Sequence, residues 1–202
     1  MIELARRRMM RAKPYDAEVE WIQGSPGYRI NADVNVSNNG YSIKARVEIP
    51  TSSQLVEIFE KTNAAEQSGN LWYLGIQPFN RIQFNVNQTY DGNASVDNTF
   101  RNSVVDVYVY SNTYLLRWLN KSVSQSVETP ASATGSILLF SRPNRPNSVK
   151  LHFFQLFAPD GSIIRDFIPV RKGNTGYLYD RVSGRLFDNM YTTGYAIIGP
   201  DK

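Results

Sequence analysis

The sequence predicts an all-β protein of antiparallel sheets, a sandwich or a barrel, and three observations carry that expectation. Apolar side chains alternate with polar ones through Tyr28–Val36, Tyr41–Ile49, Arg81–Asn87 and Val104–Tyr110. This period of two buries one face of a strand and leaves the other wet, as in antiparallel sheets open to water on one side. Clusters of Asn, Asp, Gly, Pro and Ser separate the runs at short intervals. Helix-compatible stretches are few: the first 13 residues, and Leu55–Lys61, which reads equally as a strand.

The chain has 202 residues, 42% of them hydrophobic and 12% aromatic. That fills the core of one domain, since single sandwiches and barrels commonly reach about 200–250 residues. No apolar run approaches the roughly 18 residues of a membrane-spanning helix. Cysteine is absent, which excludes disulfides, thiol nucleophiles and zinc–thiolate sites together. The net charge of +4 is localised. Arg6, Arg7, Arg8, Arg11 and Lys13 stand against Glu3 in the first 13 residues, and the other 189 hold 17 basic and 17 acidic side chains. The expected organisation is therefore a basic arm (1–14) on a neutral domain (15–202). A nucleic-acid face, which needs Lys and Arg clustered in the body, is not expected. The arm holds good helix formers up to Pro14, enough for about three turns. It lacks the apolar segment of a secretory signal. It is expected either to fray or to anchor the chain on a neighbouring subunit or an acidic surface.

Taken in order, the body begins with the alternating runs Tyr28–Val36 and Tyr41–Ile49, joined at a turn around Asn38-Asn39-Gly40. In the second run Ile43, Ala45, Val47 and Ile49 face inward, and Ser42, Lys44, Arg46 and Glu48 outward. Asn63–Asn70 is small and polar, a loop. Strands follow at Leu71–Ile76 and Arg81–Asn87, and Thr89–Thr99, rich in Asn, reads as a turn or exposed loop. Val104–Tyr110 is a strand that presents Asp106, Tyr108 and Tyr110 on its polar side. Leu115–Leu119 is the next, followed by a Ser/Thr-rich loop over Ser122–Thr134. Ser136–Phe140 is a short strand, and the two prolines of Arg142–Asn147 stop any ladder there. The last quarter holds two hairpins, which turn at Pro159-Asp160-Gly161 and at Ser183-Gly184.

The closing run Arg165-Asp-Phe-Ile-Pro-Val-Arg-Lys-Gly173, with Gly176-Tyr-Leu-Tyr-Asp180 and Ser183-Gly-Arg-Leu-Phe187, resembles a known family. It is similar to the concanavalin A-like, laminin-G-like jelly-roll domains, in the branch common in gut bacteria and their phages. The resemblance extends over roughly Tyr15 to Asp201, with Tyr15–Ile22 and Tyr28–Val36 as the opening. It implies two antiparallel sheets packed about 10 Å apart and a domain that is more often a binder of glycans or proteins than an enzyme. It also implies a phage structural or adhesion component whose basic arm contacts other virion proteins or a second copy. The expected location is then a virion, or otherwise the cytoplasm or release without a signal peptide. A soluble bacterial carbohydrate-binding module is the alternative, and a glycoside hydrolase of the same fold the third reading.

No catalytic constellation stands out. A retaining glycosidase needs two carboxyl groups about 5–5.5 Å apart. Glu18 and Glu20 read instead as surface charges, and Glu57 and Glu60, three apart, suit a helical surface. His152, the only histidine, reads as a part-buried strand residue with a satisfied hydrogen bond. Non-catalytic binding is therefore expected, with no cofactor. Asp91-Gly-Asn93 and Asp97-Asn98 supply oxygen ligands, yet read as an Asx-rich loop and not as a calcium site. The carbohydrate-binding candidates are Asp106, Tyr108, Tyr110, Asn112 and Trp118, an aromatic and hydrogen-bonding set. Arg81, Gln83 and Asn85 would join them if their strand shared the sheet. The same Tyr and Trp side chains could also fill cross-strand pairs or a protein interface. Trp21 and Trp72 read as core, and Asp166, Arg171 and Asp180 as partners of one another or turn caps.

Overall fold

The computed structural model describes residues 13–37, 39–51, 55–62, 72–86, 89–127, 134–140 and 149–202. The arm residues Arg6, Arg7, Arg8 and Arg11 and the loop 63–70 lie outside them. Seventeen strands fill these residues in chain order. They are β1 (Ala17–Glu18), β2 (Ile22–Gly24), β3 (Ile30–Val36), β4 (Ser42–Glu48), β5 (Val56–Thr62), β6 (Trp72–Gln77), β7 (Arg81–Val86), β8 (Thr89–Ser95), β9 (Val104–Tyr110), β10 (Thr113–Trp118), β11 (Lys121–Ser126), β12 (Gly135–Leu139), β13 (Lys150–Phe157), β14 (Ile163–Lys172), β15 (Thr175–Asp180), β16 (Arg185–Phe187) and β17 (Ala196–Ile198). Among the described residues no helix is long and apolar enough to cross a membrane.

The strands form two antiparallel sheets, a jelly-roll sandwich. The larger runs β11-β10-β9-β4-β13-β14-β15-β16, and the smaller β3-β12-β5-β6-β7-β8. Beyond Phe154 the pair β13–β14 parts, and the gap is filled by β1 on β14 and β2 on β13, with β17 beyond β2. Between the sheets the inward rows meet, and their aromatic rings cross the interface. Phe59 and Phe154 lie 6.5 Å apart, and Phe84 and Tyr114 5.1 Å apart. Burial of each such side chain contributes about 1.5–3 kcal/mol. Arg165 of the larger sheet bonds to the Ala32 and Asp33 carbonyls of β3, at 2.8 and 2.7 Å, and so ties the two sheets together. A small apolar cluster of Tyr15, Ile168 and Val170 sits on the outer side of the larger sheet.

Two segments expected as loops are strands. Thr89–Ser95 is β8 and Lys121–Ser126 is β11, each the last strand of its sheet. An edge strand receives its ladder bonds from one neighbour, and its side chains need not be apolar. The polar composition therefore hid both. Leu55–Lys61 resolves as strand, and a bulge between Glu57 and Phe59 changes its period. Because Glu57 faces Gly75 and Glu60 faces Tyr73, two residues apart on β6, the pair lies on one side of the sheet. Both are buried, at 2% and 1% exposure, which corrects their expected place on a helical surface. Glu60 forms an ion pair with Arg29, itself 4% exposed.

The closing hairpins turn where expected, with Gly161 at φ 82° and Gly184 at φ 71°. Of Asp166, Arg171 and Asp180, Asp180 caps the turn that follows it and also takes the Asp166 backbone N–H, while the Asp166 and Arg171 side chains pair elsewhere. Asp166 is bound by Arg181, Arg171 binds Asp201, and the buried Asp180 carboxylate accepts the backbone N–H groups of Asp166, Val182 and Ser183. Trp72 is in the core as expected. Trp21 is only half-buried, beneath the Lys150 ammonium, which lies 4.6 Å from its ring.

Candidate functional site

On the outer face of the larger sheet, strands β11, β10, β9, β4 and β13 bring three cross-strand rows together. Ser126, Thr113, Tyr110, Ser42 and Phe157 form the first. Ser124, Leu115, Tyr108, Lys44 and Gln155 form the second. Ser122, Arg117, Asp106, Arg46 and Phe153 form the third. Directly opposed residues in such rows have Cβ atoms about 4.5–5.5 Å apart, so each row acts as one strip of surface. Behind them Ile43, Ala45, Val107, Val109, Tyr114 and Leu116 are at most 2% exposed, which fixes the strips on a packed layer.

The first two rows border an open recess of about 380 Å³, whose outward lining includes Tyr108, Tyr110, Leu115, Phe157, Lys44 and Thr113. Tyr110 is 61% exposed, while Tyr108, Leu115 and Phe157 are half-buried. The third row is held by charge. Arg46 donates to both oxygens of Asp106, at 2.7 and 3.1 Å, and this bonding raises the Arg46 pKa.

Three of the five expected site residues, Asp106, Tyr108 and Tyr110, therefore share one outer face, and two do not join them. Trp118 is a correction. At 5% exposure it packs edge-on against Phe100, 4.9 Å away, and its Nε1–H donates to Thr99 Oγ1 at 3.3 Å. The two-residue turn Ser111-Asn112 pairs Tyr110 with Thr113, so Thr113, Leu115 and Arg117 face outward with Tyr108, and Tyr114, Leu116 and Trp118 inward. Asn112 lies in the turn, outside the lining of the recess. Its Nδ2 donates to the Val127 carbonyl at 2.7 Å, while the Val127 N–H returns to the Asn112 carbonyl. It clamps the chain leaving β11. Arg81 and Gln83 lie on β7, in the smaller sheet with Asn85, and do not extend the site. Lys13 is exposed and lies 3.4 Å from Glu18.

Asp97 caps the 3₁₀ turn Asn98–Phe100, and Lys121 and Thr99 hold its carboxyl down to about 2. Asp91 falls within strand β8, and Asp97 follows its end. Among the described residues no three His, Asp or Glu side chains converge as a metal site would require. His152 is half-buried at a bulge of β13. It bonds to the Glu20 backbone, its Nε2 has no partner, and desolvation lowers its pKa. Its hydrogen bonding is thus only half satisfied.

A second recess, of about 470 Å³, was not anticipated. It lies at one end of the sandwich among Tyr28, Asn174, Asp188, Asn189, Tyr191 and Tyr195. Asn189 organises it, accepting the Arg29 and Tyr191 N–H groups and donating to the Thr193 carbonyl. Gly194, at φ 85°, closes the loop where a Cβ would stand 2.3 Å from the Tyr28 nitrogen. The Asn, Asp and Tyr of Asp188–Tyr195 were the available signal.

The fold and its outer face define a class: an antiparallel jelly-roll domain with an aromatic recess on one open sheet. No protein-family model matches the chain, and no curated protein matches it in sequence. Among solved structures it is similar to a native heptameric SAP-like pentraxin from Limulus polyphemus. The TM-score is 0.53 at 11% identity, over 92% of this chain and 98% of that one. Chicken Galectin 2 aligns at a TM-score of 0.36 and 10% identity, over 68% of this chain and 98% of that one. At this identity the likeness to the pentraxin is one of fold, concanavalin A-like in its two-sheet architecture, and the looser overlap adds nothing to it.

Proposed function

We propose that the chain is a non-catalytic jelly-roll domain that binds a saccharide on the outer face of its larger sheet. The observation that carries this reading is the recess in which Tyr108, Tyr110, Leu115 and Phe157 stand part-exposed over a fully buried layer. Part-exposed aromatic rings flanked by hydroxyl and ammonium groups suit a sugar, which is apolar on its C–H faces and polar at its rim. None of the lining residues is Asp, Glu or His, so the recess offers no carboxyl pair for glycoside hydrolysis. The nearest acid on the face, Asp106, is held by Arg46.

A saccharide array tests the reading. Tyr108→Ala and Tyr110→Ala should each lower binding about tenfold or more, a loss of about 1.4 kcal/mol, with thermal stability retained. Unchanged binding in both variants would overturn it. Hydrolysis of a bound saccharide that is lost in Glu20→Gln would overturn the non-catalytic part. The narrower form of the proposal places the domain on a phage particle, anchored by the basic arm. It is supported by the resemblance of the closing run and the +4 charge of the first 13 residues. Deleting residues 1–13 should leave a folded domain that no longer enters particles, and normal incorporation would overturn the anchoring.

A further inference from the structure

The charges around the recess narrow its ligand. Three basic side chains on this side of the sheet are held in ion pairs: Arg46 with Asp106, Arg181 with Asp166 and Lys150 with Glu48. Lys44 and Arg117 are different. Neither has a carboxylate partner among the described residues, and both lie against the same ring. Lys44 Nζ is 5.9 Å and Arg117 Cζ 5.7 Å from the Tyr108 centroid. They arrive from opposite neighbours of β9, Lys44 directly across from Tyr108 on β4 and Arg117 one pair along on β10. Lys44 is also 6.0 Å from the Phe153 ring. Cation–π contact positions these heads without cancelling their charge.

Two cations without an ion-pair partner among the described residues, Arg117 standing across from the Asp106 that Arg46 holds, thus flank the exposed aromatic surface of a recess that has no acid in its lining. Beside an apolar wall their attraction for an anion is screened less than in bulk water. The planar guanidinium of Arg117 can meet a carboxylate or sulfate through two parallel hydrogen bonds, and the Lys44 ammonium adds a point charge. We infer that the ligand is an anionic saccharide, with a ring on Tyr108 and Tyr110 and an acidic group between Lys44 and Arg117. This assignment rests on the outer-face reading above.

Calorimetry on the full chain tests it with matched probes: oligogalacturonate against its methyl ester, and a sulfated galactan oligosaccharide against its desulfated form. At about 50 mM salt an acidic probe should bind about tenfold or more tighter than its neutral partner, and the gap should shrink strongly at about 0.5 M. Whichever pair shows the gap identifies the acidic group. Lys44→Gln combined with Arg117→Gln should erase the gap, while Lys172→Gln, exposed at the far end of β14, should keep it. A gap that survives the double variant overturns the anionic assignment. So does equal binding of acidic and neutral probes that Tyr108→Ala still weakens, and in that case the outer-face reading stands. Binding indifferent to Tyr108→Ala, or binding of none of the four probes, overturns both.

Discussion

Trp118 and Tyr110 lie eight residues apart on one hairpin and should respond to truncation in opposite ways. Trp118→Ala removes a side chain that is 5% exposed, its edge-on contact with Phe100 at 4.9 Å and its bond to Thr99. A large-to-small change at such a site costs about 3–5 kcal/mol, within which the aromatic pair accounts for about 0.5–1.5 kcal/mol. For a domain of about 150–250 residues each kcal/mol lowers Tm by about 2–4 °C, so a drop of about 6–20 °C is expected. Tyr110, at 61% exposure, should change stability by no more than about 0.5 kcal/mol on truncation. Thermal melts and urea midpoints of both variants, read beside saccharide binding, decide the matter. Trp118→Ala should fail in stability, and Tyr110→Ala in binding alone. A Trp118→Ala cost below about 1 kcal/mol, or a Tyr110→Ala cost above about 2 kcal/mol, would refute the assignment of the two faces.

Asp180→Ala should cost about 3–5 kcal/mol by urea denaturation, because it strips a fully buried carboxylate from three backbone N–H groups and leaves Arg165, 3.8 Å away, uncompensated. A loss under about 1 kcal/mol would contradict its role as the clamp of the β15–β16 turn. His152 gives a pH test. Its folded pKa lies below the unfolded value of about 6.5, chiefly through desolvation, so on acidification the unfolded chain takes up the proton first. The stabilising effect of neutral His152 is complete above about pH 7. It is lost below, by at most about 1.4 kcal/mol per pH unit, and His152→Gln should flatten that slope between about pH 7 and 5. Identical slopes in both proteins would refute it.

How much was legible in the sequence follows from how local each feature is. The strict alternation of Tyr41–Ile49 and Val104–Tyr110 gave β4 and β9 and placed Lys44, Arg46, Asp106 and Tyr108 on outward faces, because parity along one strand needs no other part of the chain. The pairing of β4 with β9 was not legible. Four strands intervene in sequence, so nothing local sets Lys44 beside Tyr108. Composition alone suggests an exposed Trp118, whereas parity across Ser111-Asn112 turns Trp118 inward and Arg117 outward. The edge strands β8 and β11 were invisible because their backbones pair without apolar side chains. The same-side placement of Glu57 and Glu60 depends on a bulge, which shifts the period without leaving a mark in residue type.

The most direct test of the outer-face site is a residue-resolved one. Amide chemical-shift changes on titrating the ¹⁵N-labelled chain with a bound saccharide should cluster at Ser42–Lys44 of β4, Tyr108–Tyr110 of β9 and Thr113–Leu115 of β10, and vanish in Tyr108→Ala. Changes centred on Tyr28, Asn174 and Asp188–Tyr195 at the end of the sandwich, with β4, β9 and β10 silent, would contradict it.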